Sequence, residues 1–226
     1  MIAFVFVSRI VGLLLGIFAF STTTSHSTTS IIHVHCPIEN SMVQININVS
    51  FPYNIASNGF KTDPCNPKSA DSHPYGSYAF QSIGFVVLAI LSSLVCLLGL
   101  IVYICFDEAY RENYKLPNAD FLLSVVIVCL WIVCTTVWAD GFVKIKHYID
   151  LQTLRVNGHL EGCKDLPHKC ITVSHGKFAS IYASLCFGYL NALLWAGKLW
   201  FLFSETSFYK GQPVPIKEED CEPFRI

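Results

Sequence analysis

Cysteine and histidine supply most of the reactive side chains in this sequence, and their spacing sorts them. Cys36 and Cys65 flank one polar stretch and Cys163 and Cys170 lie within another, whereas Cys96, Cys105, Cys129, Cys134 and Cys186 fall within or at the ends of apolar runs. One pair per polar stretch is what intraloop disulfides in an oxidising compartment produce, and a reducing cytosol would not maintain them. Closing the longer interval should contribute about 3–4 kcal/mol and the shorter about 2–3 kcal/mol, stapling two small caps. Metal binding is the competing reading, because His33, His35 and Cys36 stand together and His168 lies beside Cys170. The tight paired spacing typical of zinc sites is absent. Asn48-Val49-Ser50 is a glycosylation acceptor pattern, although Asn46–Phe51 also reads as strand. Cys105 and Cys221 are placed where palmitoylation can occur, with an unmodified thiol as the alternative.

Other chemistries find less support. The histidines are scattered, no charge-free run contains an acidic pair, and neither a phosphate-cradling glycine loop nor a nucleophile elbow is present, so the chain reads as a non-enzyme without a cofactor. A net charge of −1 with no basic cluster argues against a nucleic-acid partner. Lys198 reads as a snorkelling lysine whose ammonium reaches the headgroups near Glu205, with an ion path as the alternative and no acidic partner expected in any helix interior. Asn191, inside an apolar run, needs a hydrogen-bond partner within a bundle.

The elements that must position these residues are membrane spans. Hydrophobic residues make up 53% of the chain, charged residues 14%, and the mean hydropathy is +0.48, far from the composition of a soluble domain. Ala79–Phe106, Phe121–Ala139 and Phe178–Gly197 contain no Asp, Glu, Lys or Arg, and each is long enough to cross the hydrocarbon core. Met1–Phe20 is apolar apart from Arg9 and reads as a retained first helix, with a cleaved signal peptide as the alternative. Four helices are expected at about 8–26, 78–106, 119–140 and 177–204. They leave loops at 27–77 and 141–176, a tight charged hinge at 107–118 (Tyr110 to Asp120 reads YRENYKLPNAD), and a short tail at 210–226 beyond a membrane domain of 1–209. Lys and Arg counts do not settle the orientation. The cysteine pairs place both loops on the lumenal or extracellular side and the hinge and termini in the cytoplasm.

Val43, Ile45, Ile47 and Val49 alternate with polar residues, a period of two that predicts a strand with one buried face in the first loop. Ser21–Ser30 reads as either helix end or linker, and the second loop shows no legible secondary structure. Ser92-Ser93, Gly99, Ala183-Ser184, Gly188 and Ala192 supply small residues for close helix packing in lipid.

Tyr110-Arg111-Glu112-Asn113, Pro117, Asp120-Phe121, Trp131 and Trp138-Ala139 resemble the second loop and third helix of the synaptophysin family, which belongs to the four-helix MARVEL group. Gly16-Ile17-Phe18-Ala19-Phe20 is similar to its first helix. Phe187-Gly188-Tyr189-Leu190-Asn191, Leu194-Trp195, Gly197, Leu199-Trp200-Phe201 and Glu205-Thr206 resemble its fourth. The resemblance spans roughly residues 8–209. It implies an all-α integral membrane bundle of four transmembrane helices with two disulfide-stapled lumenal loops, the first carrying a small β element. It further implies residence in synaptic or small cytoplasmic vesicles, association with the vesicle SNARE synaptobrevin in exocytosis and endocytosis, affinity for cholesterol-rich membrane, and homo-oligomerisation. Lys198 stands where the family tends to have Asn. The segment from Lys210 to Ile226 lacks the Tyr-Gly-Pro repeats that serve tail-dependent adaptors. An oligomeric channel or transporter of vesicle membranes is the alternative, disfavoured because the spans offer only Asn191, Lys198, Gln81 and hydroxyls for an ion path.

Overall fold

The computed structural model describes residues 2–36, 41–105, 115–163 and 170–205. Its frame is four long helices, α1 (Ile2–Thr24), α2 (Ala79–Cys105), α3 (Lys115–Tyr148) and α5 (Ala179–Glu205), with a short α4 (Leu151–Val156) between the last two. Each long helix contains a stretch long and apolar enough to cross a membrane, at Phe6–Thr24, Ala79–Val102, Asn118–Tyr148 and Ala179–Phe201. Helix is the form these runs must take in hydrocarbon, because it pairs every backbone polar group within the segment. The four pack in the cyclic order α1, α2, α3, α5, each against two neighbours. Large apolar side chains such as Leu98, Leu122, Val133 and Leu193 point outward, as they should where lipid is the solvent.

Two helices differ from their expected bounds. α1 ends at Thr24, where Thr23 and Thr24 donate back to the carbonyls of Ala19 and Phe20 at 2.8 and 2.9 Å and Ser25 to that of Ser21 at 2.6 Å. Such bonds give the backbone an alternative to continuing the helix. Ser21–Ser30 is thus half helix end and half strand. α3 begins four residues before the expected start and ends eight after the expected end. Pro117 lies in its first turn, where proline is tolerated, and Lys144 pairs with Asp140 one turn away at 2.6 Å. At 34 residues and 1.5 Å per residue it spans about 51 Å, so it overshoots a hydrocarbon core of roughly 30 Å.

The overshoot builds the cap. β1 (Ser27–Cys36) pairs with β2 (Ser41–Ser50) along its full length, and β5 (Cys170–Ser174) joins the other edge of β1, giving the antiparallel order β2-β1-β5. A second hairpin, β3 (Phe60–Lys61) with β4 (Asp71–Ser72), follows within the first loop. Ile45, Ile47 and Val49 are buried and Gln44, Asn46 and Asn48 exposed, the predicted alternation. The expectation of two separate caps is corrected here: β5 belongs to the second loop and completes the sheet of the first. Hydrogen bonds from Gly162 N to Thr62 O at 3.3 Å and between Ser72 Oγ and His159 Nδ1 at 2.8 Å join the loops again. The inward face of the sheet continues into the bundle core through Tyr53, which is buried against Trp138 with ring centroids 4.8 Å apart and donates its hydroxyl to Thr23 O at 2.8 Å. Tyr53 adopts φ +66°, a left-handed backbone that a bulky residue holds only when its surroundings fix it.

Candidate functional site

The second turn of α3 carries Asp120 into the bundle interior at the end away from the cap. Arg9, one turn into the apolar part of α1, reaches it with a guanidinium N–H donated to Oδ1 at 2.5 Å and another to Val95 O of α2 at 3.1 Å. Lys198, near the end of the α5 span, donates to the same Oδ1 at 3.1 Å and to Ser124 Oγ at 3.2 Å. Ser124 in turn donates to Asp120 O at 2.7 Å. α1, α3 and α5 therefore meet at one carboxylate, and Arg9 ties α2 to it through Val95 O.

The lysine is only 2% exposed and the arginine 8%, so the snorkelling reading of Lys198 is overturned, as is the expectation that no helix interior offers it an acidic partner. Asp120 is the second residue of the expected helix 119–140 and ends the charged run YRENYKLPNAD, and nothing local directs it into the bundle interior. Pro117 three residues earlier is a helix-start signal that moves the start of α3 ahead of the expected 119 and sets Asp120 in its second turn rather than its first.

Two cations share one anion, which leaves a surplus positive charge at low dielectric, where an unpaired ion is costly. Trp195 offsets it. Its ring lies 4.7 Å from the Lys198 ammonium and 5.7 Å from the Arg9 guanidinium, an arrangement in which the negative face of the π system attracts cations. Room for the guanidinium comes from Gly99 of α2, where a Cβ would stand 2.5 Å from Arg9 Cζ. The crevice bounded by Ser8, Arg9, Cys96, Leu194, Trp195 and Lys198 leaves no room for a water molecule. The cluster is a closed brace.

The other residues singled out in the sequence fall into several groups. Trp131 and Trp138 are fully buried, the first edge-on to Phe85 at 5.8 Å. Asn191 is also fully buried, yet neither of its carboxamide atoms has a hydrogen-bond partner among the described residues, unlike the partnered amide expected there. Trp200 is 76% exposed on the outer surface and takes no part in the brace. Tyr110, Arg111, Glu112, Asn113, the hinge core and the tail with Cys221 lie outside the described residues. Of the small residues, Gly188 fits against Phe85 and Thr135, and Ser93 sits beside Gly16 of α1.

At the cap, disulfides link Cys36 to Cys65 and Cys163 to Cys170 with Cα separations of 5.4 and 5.8 Å, ordinary values for the bond. His33 and His35 face outward on β1 while Cys36 faces inward, so the three do not converge on a metal. Asn48 sits on the outward face of β2, its Oδ1 accepting from Thr29 Oγ1 at 2.9 Å. Its backbone N–H and C=O are both bonded by the Asn58 carboxamide, at 2.9 and 3.0 Å. Burial pushes His26, packed against Tyr53 and Phe178, and His159, packed edge-on to Tyr75, below the ordinary histidine range. Residues 2–201, which take in the cap and all four spans, match the family model described as MARVEL, a membrane-associating domain.

Proposed function

The chain belongs to the MARVEL family of membrane-associating domains, and from that premise we propose that it is a synaptophysin-like organiser of synaptic or transport vesicle membrane. In this reading the cap is lumenal and the termini cytoplasmic, and the bundle associates with the vesicle SNARE synaptobrevin, with itself and with cholesterol-rich lipid. The observation that carries it over a channel is the closed brace. Among the described residues, Arg9, Asp120 and Lys198 at that end of the bundle are tied to one another and packed on Trp195 around a crevice that water does not enter, whereas an ion path needs such groups to face a wet cavity. The apolar outer faces of α2, α3 and α5 suit lateral contact with lipid or another spanning helix.

Fractionation of secretory cells expressing a tagged chain tests the reading. Co-sedimentation with small vesicles and recovery of synaptobrevin by pull-down are expected. Residence in the plasma membrane without the SNARE would overturn it in favour of a junctional or channel role.

A further inference from the structure

At the opposite end of the bundle a cleft of about 390 Å³ opens where α3 and α5 meet the sheet, lined by Lys146, Ile149, Asp150, His175 and Phe178 among others. Its size is that of a small-molecule site. We propose that it holds the headgroup of a zwitterionic phospholipid from the leaflet bordering the cap, with the phosphate on Lys146 and the ammonium on Asp150.

Depth is the first support. Lys146 lies two residues before the end of α3 and Phe178 immediately before α5, so the cleft sits where the apolar spans give way to the polar cap, at headgroup level. The second is orientation of the charges. The Lys146 ammonium donates to Tyr182 Oη at 3.0 Å and lies 5.6 and 5.9 Å from the Tyr182 and Phe142 rings, and those rings meet edge-on at 5.0 Å. Asp150 caps α4, its Oδ2 accepting from Gln152 N at 3.1 Å. Each charge is thus oriented by a partner of its own, and a cation and an anion line the same cleft. A phosphate joined to an ammonium by a short spacer complements both at once, and charge-assisted hydrogen bonds are the strong ones. The third is the apolar flank. Phe178 and Ile149 line the cleft beside these charges, and Tyr182, 53% exposed on the lipid side, offers glycerol and acyl carbons a route back to hydrocarbon. A free phosphate would use neither the flank nor Asp150.

Native mass spectrometry of the delipidated full chain in detergent, titrated with phosphatidylcholine or phosphatidylglycerol, tests the proposal without reference to any SNARE. Wild-type protein should retain phosphatidylcholine in preference to phosphatidylglycerol. Lys146→Met should weaken phosphatidylcholine about tenfold or more, Lys146→Arg should largely restore it, and Asp150→Asn, which still caps α4, should erase the preference. Equal retention by wild type and Lys146→Met, or equal retention of the two lipids by wild type, would overturn the assignment. Displacement by inorganic phosphate as readily as by phosphocholine would make the ligand a free anion and overturn the lipid. Should Lys146→Met fail to fold, the lipid comparison on wild type and Asp150→Asn still decides.

Discussion

The two ends of this molecule are closed by opposite means. At the cap, two disulfides and a three-stranded sheet hold loops whose side chains largely meet solvent; at the other end, one carboxylate, two cations and an indole hold four helices where lipid surrounds them. Covalent bonds and ladder hydrogen bonds tolerate water, and a cross-link stabilises chiefly by restricting the unfolded chain. Buried ions must be kept dry and matched, and their strength shows mainly when one partner is removed. The cap is therefore a device against chain entropy, and the brace a device for specifying which helices are neighbours.

Removing one partner from the brace should produce the largest effect. Asp120→Asn strands two buried cations and is expected to cost about 3–5 kcal/mol, read as a drop in thermal unfolding temperature in detergent, with the cap disulfides still formed. A loss no larger than that of an exposed pair such as Lys61–Asp71 would show that the brace contributes little. Next comes the cap. Cys36→Ser should cost about 3–4 kcal/mol, and maleimide should label Cys65 in the mutant without reductant but not in the wild type. Gly99→Ala should cost about 1–3 kcal/mol through overpacking against Arg9, and adding Arg9→Ala should remove much of that penalty, a coupling measurable in a double-mutant cycle.

The smallest expected effect is the dependence of the cap on pH. Burial depresses the folded-state affinity of His26 and His159 for protons, so the unfolded chain binds more protons as pH falls through the ordinary histidine value of 6.5. Their contribution is fully present above that value and is lost progressively below it. Hydrogen exchange should quicken around these two histidines on acidification from pH 7. Unchanged protection would show that the burial of these two histidines contributes nothing to the stability of the cap.

How far the sequence revealed each end follows from the range of its interactions. Three spans declared themselves as long runs without charge, and β2 through the alternation of Val43, Ile45, Ile47 and Val49, because those signals are local. β5 was not legible: Cys170–Ser174 is five residues long, and its partner lies more than a hundred residues earlier. The brace was missed for a similar reason. Arg9, Asp120 and Lys198 are each ambiguous alone, two near the ends of apolar runs and one after a hinge, and only the packing of four helices turns them into a unit. The cysteine pairs could be read in advance because each bridge closes within one loop.

The third strand of the cap has a consequence for biosynthesis. Ser30 Oγ bonds to the carbonyl of a residue 144 positions later, after two intervening membrane crossings have been made. A nascent chain that skipped either crossing would leave β5 across the bilayer from β1, with the edge of β1 unpaired and the exposed strand open to other chains. The sheet is thus a checkpoint on threading, closing only around a polypeptide whose intervening segments have passed through the membrane an even number of times.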